Sequence, residues 1–170
     1  ANLSTRGQAG TGQSVLTAGC VIGPGGNKKV IVRAVGPTLG STFSLPGVLA
    51  DPVLTVFGPN SSTAVAATND NWNPADAATF TSVGAFALAP GGRDAAVVAT
   101  LAPGSYTAQV TGANNTTGLV LVEVYEVGAP AAKLVNISTR AQVGTGASVM
   151  IPGIVVSSGS GTRRLVIRAA

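Results

Sequence analysis

The sequence predicts an all-β fold: an antiparallel β-sandwich of Greek-key or jelly-roll type, holding one full repeat and the first hairpin of the next. Three observations predict it. The composition is that of strands and turns, with 45% hydrophobic residues, only 9% charged, 23 Gly and 10 Pro in 170 residues. Short apolar stretches alternate with period two, and turn residues punctuate them at regular spacing. Finally, the chain repeats itself. "NLSTRGQAGTGQSV" at 2–15 returns as "NISTRAQVGTGASV" at 136–149.

The elements follow in order. In "QSVLTAGCVI", Leu16, Ala18, Cys20 and Ile22 alternate toward a core, and their counterparts Met150, Pro152, Ile154 and Val156 are apolar as well. The next strand, "KKVIVRA", turns Val30, Val32 and Ala34 inward and places Ile31 and Arg33 on the opposite face. Glycine-rich "GPGGN" at 23–27 reads as the hairpin loop between these two strands, and "SSGSGT" at 157–162 as its second-copy counterpart. Further strands are expected near 53–57, 63–68, 85–88, 94–101, 104–111 and 117–127, with one short helical stretch over 75–83. Pro103 and Gly104 are expected to close a hairpin after which Tyr106, Ala108 and Val110 face the core. "TGLVLVEVYEV" is apolar on both faces and reads as a central strand, covered on both sides.

Across residues 2–22, twelve of 21 positions are identical to those 134 residues later, and after one inserted residue "KKVIVRA" meets "RRLVIRA" at 163–169. Residues 1–134 are therefore expected to be a complete unit. Residues 135–170 begin a second copy, a hairpin expected to pack on an adjacent module, and "GAPAA" at 128–132 is the expected seam. An isolated two-stranded hairpin is marginal in water. Its apolar side chains Met150, Ile154, Val156, Leu165 and Ile167 are accordingly the expected inter-module contacts.

Several function classes lose their chemistry here. Histidine is absent, which excludes Ser-His-Asp and Cys-His catalysis and the HExxH zinc sites. The sole Cys20 has no disulfide partner and stands where the other copy has Ile154, so it reads as a buried structural thiol. Ten Lys and Arg against six Asp and Glu give +4, but the basic residues are scattered and aromatics are 4%, a poor nucleic-acid surface. No stretch of about 18 apolar residues spans a membrane, and neither end reads as a signal peptide. Glycine-rich "GTG" and "GPGG" lack the strand-to-helix setting of a phosphate loop. No catalytic residue is expected, and the chain is read as a non-enzyme.

The phrases "LSTRGQAGTG", "KKVIVRAVGPTL", "LADPVLTVF", "NDNW", "GAFAL", "GGRDAAVVATLAPGSYTAQVTG" and "TGLVLVEVYE" together resemble a repeat found in tandem in large secreted or cell-surface proteins of environmental bacteria. "APGSYTAQVTG" followed by a strand is, more loosely, similar to the β-sandwich modules appended to secreted bacterial peptidases. The resemblance implies an extracellular, structural or adhesive module and carries no catalytic residues. The expected function is a structural module of an extracellular filament or tandem-repeat surface protein. Its partners are copies of itself, joined head-to-tail by shared strands. The alternative is a secreted carbohydrate- or surface-binding module whose partner is a surface glycan.

Two local features invite chemistry. "TNDNWNPAD" at 68–76 gathers Asn69, Asp70, Asn71, Asn73 and Asp76 around Trp72. That loop reads as an Asx-rich turn anchored by a packed tryptophan, as a calcium site, or as a sugar-stacking platform; no other cofactor is expected. Glu123 falls within a strongly apolar strand, and Arg33 and Arg168 are each isolated in another. Partly buried charges need partners. An ion pair from Glu123 or Asp94 to one of these arginines is expected, the other possibility being arginines exposed on the sheet surface.

Overall fold

The computed structural model describes residues 2–128, 132–156, 162 and 164–170. Two five-stranded antiparallel sheets form a sandwich. Their strands are β1 (Asn2–Ala9), β2 (Leu16–Ile22), β3 (Lys28–Val35), β4 (Pro52–Phe57), β5 (Val65–Asn69), β6 (Ala95–Leu101), β7 (Gly104–Gly112), β8 (Gly118–Glu126), β9 (Leu134–Arg140) and β10 (Ile151–Val155). One sheet runs β10-β1-β8-β3-β6 and the other β5-β4-β7-β2-β9. Two short helices, α1 (Pro37–Phe43) and α2 (Ala77–Ser82), accompany them.

The core between the sheets is made by alternation. Leu16, Ala18, Cys20 and Ile22 of β2, with Tyr106, Ala108 and Val110 of β7, meet Val30, Val32 and Ala34 of β3 and Val120, Val122 and Val124 of β8. Period-two side chains on each sheet thus supply one apolar face each. The β1–β8–β3 sheet has a second apolar face. There Ile31, Val35, Ala96 and Tyr125 pack under Leu39, Trp72, Phe80, Ala85 and Leu88, which come from α1, α2 and the loops around them. This cover explains why β3 and β8 are buried on both faces and read as near-continuous apolar runs.

The order of connections departs from the hairpins expected at two places. β2 pairs with β7 and β9, while β3 pairs with β6 and β8, so "GPGGN" arches from one sheet to the other. β6 and β7 likewise lie in different sheets, and Pro103–Gly104 is an arch too. A Gly-rich reversal between two strands with inward apolar faces looks the same in sequence whether the strands pair or face each other across the core. Among the described residues only β4 and β5 are consecutive strands paired in one sheet. The apolar run at 85–88 is not a strand; it is a loop segment that buries Ala85 and Leu88 in the outer cluster. Helix α1 gave little sequence signal, since its seven residues bury only Thr38 and Leu39, although Pro37 occupies a first-turn position suited to proline.

Candidate functional site, a two-fold strand seam

The second copy of the repeat places its two described strands in different sheets. β9 adds to the outer edge of β2 and β10 to the outer edge of β1, so the copy extends both sheets of the unit that precedes it. Most of the expected seam "GAPAA" (129–131) and most of the second glycine loop (157–161) lie outside the described residues.

The pairing is symmetric. β1 aligns Asn2 with Val155, Leu3 with Ile154, Ser4 with Gly153, Thr5 with Pro152 and Arg6 with Ile151. β9 aligns Asn136 with Val21, Ile137 with Cys20, Ser138 with Gly19, Thr139 with Ala18 and Arg140 with Thr17. Each pair in one register is the 134-residue image of a pair in the other, with its two members in exchanged copies. A local two-fold axis therefore relates residues 2–21 to 136–155. Equivalent residues meet on it: the Thr5 hydroxyl donates to Thr139 Oγ1 at 3.1 Å, Gln8 bridges Gln142, and a Cβ on Gly7 would stand 3.2 Å from the Cβ of Ala141.

Sequence explains the fit locally. A side chain on Gly19 would collide with Ser138 Oγ at 2.7 Å, and one on Gly153 with Ser4 Oγ at 2.9 Å, so each copy offers a glycine where the other brings a serine. The corner between the two strands is also repeated. Gly10 N–H donates to Ser14 O and Gly144 N–H to Ser148 O, each at 3.0 Å. Both corners pass from one sheet to the other, which is how a single 20-residue motif reaches both sheet edges.

Equivalent residues differ sharply in burial. Ile154 is 47% exposed where Cys20 is 6%, and Ile167 is 74% exposed where Val32 is 3%. Val156 and Leu165 are exposed, Met150 is half-buried, and residues 164–170 carry no regular structure. The side chains expected to pack between modules are thus largely uncovered here.

Arg33 lies fully buried on the outer face of its sheet, directly across from Glu123 on β8. Its Nε donates to Glu123 Oε2 at 2.8 Å, with Nη2 on the same oxygen. Nη1 reaches the Phe86 carbonyl at 2.7 Å. The guanidinium carbon stands 4.6 Å from the Phe86 ring centroid, 5.3 Å from that of Phe80 and 5.8 Å from that of Tyr125. Tyr125 O–H donates to the other oxygen, Glu123 Oε1, at 2.7 Å. Burial, then the neighbouring Glu123 charge, push the Tyr125 phenol well above its ordinary range. Arg168, the second-copy counterpart of Arg33, is solvent-exposed.

Asp94 is also fully buried, but among the described residues it meets no arginine. Its carboxylate accepts from the N–H groups of Gly36 and Thr38 at 2.8 and 3.2 Å and from the Thr38 hydroxyl. That arrangement pins the start of α1 to the sheet. Both buried carboxylates accept from internal donors on each of their oxygens.

The Asx-rich loop is sewn to the fold by its own polar groups. Asn69 Oδ1 accepts from Ala96 N–H at 2.9 Å, its amide donates to Asn71 O at 2.9 Å, and Asn73 Oδ1 accepts from Ala75 N–H at 3.0 Å. Two of the five candidate calcium ligands, Asn69 and Asn73, are therefore engaged by backbone. Asp70 and Asn71 are exposed and Asp76 is half-buried. Trp72 is buried against Phe80, with its indole N–H on Ala89 O at 3.3 Å, and it offers no free face for a sugar ring. Cys20 is buried in the inter-sheet core, and burial pushes its thiol up to about 11, which leaves it a poor nucleophile.

No known family, curated protein or solved structure matches this chain. Sequence reasoning found the repeat but missed its symmetry; the signal was available in the Gly19–Gly153 and Ser4–Ser138 identities, which become meaningful only once the two copies are known to be neighbours.

Proposed function

We propose that this chain is part of a tandem-repeat structural protein of the bacterial cell surface or extracellular matrix, whose units are joined by sharing β-strands. One observation carries the reading: the second copy of the repeat, rather than standing apart, completes the edges of both sheets of the first. Open sheet edges invite uncontrolled association, and a repeat that covers its neighbour's edges turns that hazard into a joint. The chemistry agrees with a mechanical role. The charged groups at the heart of the fold, Arg33, Glu123 and Asp94, are spent on internal bonds, and the lone thiol is buried.

Electron microscopy of the source cells with an antibody raised to this chain tests the proposal. Labelling along regular surface fibres or a surface layer is the expected result. Antigen confined to the cytoplasm, or free in the medium as dispersed monomers, would overturn it.

A further inference from the structure

We infer that consecutive units of the repeat pair about the local two-fold axis. The outer edges of β9 and β10 are docking edges for the remainder of a second sandwich, whose counterparts of β8 and β7 lie against them. This rests on the tandem-repeat reading above, and it names the occupant of an edge that reading leaves open.

The occupant follows from the internal copy. β1 and β2 each have two neighbours, β8 and β10 for the one and β7 and β9 for the other. β9 and β10 have the same sequence pattern but, among the described residues, only one neighbour each. The residues left uncovered are those whose first-copy equivalents are buried by the missing neighbours: Val143 matches Ala9, Ile154 matches Cys20, and Ile167 matches Val32. Arg168, counterpart of an arginine held by Glu123, is exposed without the opposing strand that would bring its carboxylate.

Adding that sandwich continues β6-β3-β8-β1-β10 into the counterparts of β7, β4 and β5, and continues β5-β4-β7-β2-β9 into those of β8, β3 and β6. Two long sheets would then run through both units. Pro152, standing where β2 has Ala18, lacks an N–H and withholds one ladder bond from β10. An isologous joint closes on itself. Once β1–β2 and β9–β10 have met, neither unit has that edge left, so units associate in pairs. Head-to-tail growth by this contact alone is excluded, and any longer array needs a different contact.

The test extends the existing chain. Ala170 is the counterpart of Val35, so a second copy of residues 36–134 fused after Ala170 completes the second unit. Hydrogen exchange is then read peptide by peptide in the present chain and in the extended one. Expected is a monomer in which residues 134–140, 151–155 and 164–170 exchange slower by about 100-fold or more than in the present chain, while β1 and β2 stay protected. If the fused unit folds but β1 and β2 lose protection on their outer edges, the second copy has left the first, and the two-fold seam is refuted while the repeat reading stands. If the fused residues stay unprotected together with 164–170, the repeat reading itself falls.

Discussion

The first and second copies of the repeat share sequence but not circumstance, and the contrast separates what a strand carries in itself from what its neighbours give it. Residues 2–35 are embedded: Cys20, Val32 and Arg33 are buried, and the arginine has a carboxylate, a carbonyl and three aromatic rings around it. Residues 136–170 hold a nearly equivalent text, yet Ile154 and Ile167 are exposed and Arg168 faces solvent. What differs is the presence of β7 and β8 on one side. An alternating apolar strand acquires a buried face only when another sheet is there to take it.

The largest expected effect breaks the comparison by removing the second copy. A chain ending at residue 134 bares the β1–β2 edge, and because the seam is two-fold, residues 2–21 of another molecule fit where 136–155 had been. Such a chain is expected to run as a closed dimer by sedimentation, whereas the full chain is expected to run as a monomer. A truncated chain that stays monomeric at high micromolar concentration would mean that the edge is not self-complementary.

Next in size is the paired arginine test. Glu123→Ala leaves the Arg33 guanidinium buried beside a neutral gap and is expected to cost about 3–5 kcal/mol in urea unfolding. Arg168→Ala, at the exposed counterpart, is expected to stay within about 0.5 kcal/mol of the parent. Equal losses in the two variants would remove the distinction drawn between the copies.

Alkaline titration sharpens the comparison at the Cys20–Ile154 position. The Cys20 thiol is raised from 9.0 to about 11, so the fold holds the protonated form while the unfolded chain ionises first. Stability from this group is complete below pH 9 and falls as pH rises toward 11, by about 2–3 kcal/mol in all. Tyr125, whose phenol is also raised from 10.0, adds its own loss above pH 10. Cys20→Val, which makes this position as inert as Ile154, is expected to flatten the fall between pH 9 and 10 and to reduce the later one to the tyrosine's share. A parent chain whose unfolding midpoint does not move over that first interval would contradict the assignment.

The smallest effect concerns the axis itself. Thr5→Val removes the hydroxyl that donates to Thr139 and is expected to cost about 1 kcal/mol. The same substitution at Thr139 is expected to cost no more than that, since the hydroxyl pair is a single shared contact. Additive losses in the double variant would show that the two groups do not interact.

Much of the fold was legible in the chain. Strands expected near 53–57, 94–101, 104–111 and 117–127 correspond to β4, β6, β7 and β8 with ends shifted by a residue or so, because period-two burial is written directly into Leu54 and Val56 or Tyr106, Ala108 and Val110. The return of residues 2–15 at 136–149 was equally plain. Pairing was not, for a physical reason: Gly23–Asn27 and Pro103–Gly104 supply the turn, while the choice between an adjacent strand and the opposing sheet is made by how the remaining strands fill the core. Nor did sequence alone select Glu123 over Asp94 as the partner of Arg33. β3 and β8 had first to become neighbours in a register that set Arg33 opposite Glu123, and α1 had to take up the Asp94 carboxylate. The two-fold seam is the extreme case. Residues 2–21 and 136–155 specify the same corner and the same alternation by local rules, which sequence fixes residue by residue. That the two corners meet, serine over glycine on both sides of an axis, depends on strand edges that exist only after the sheets have formed.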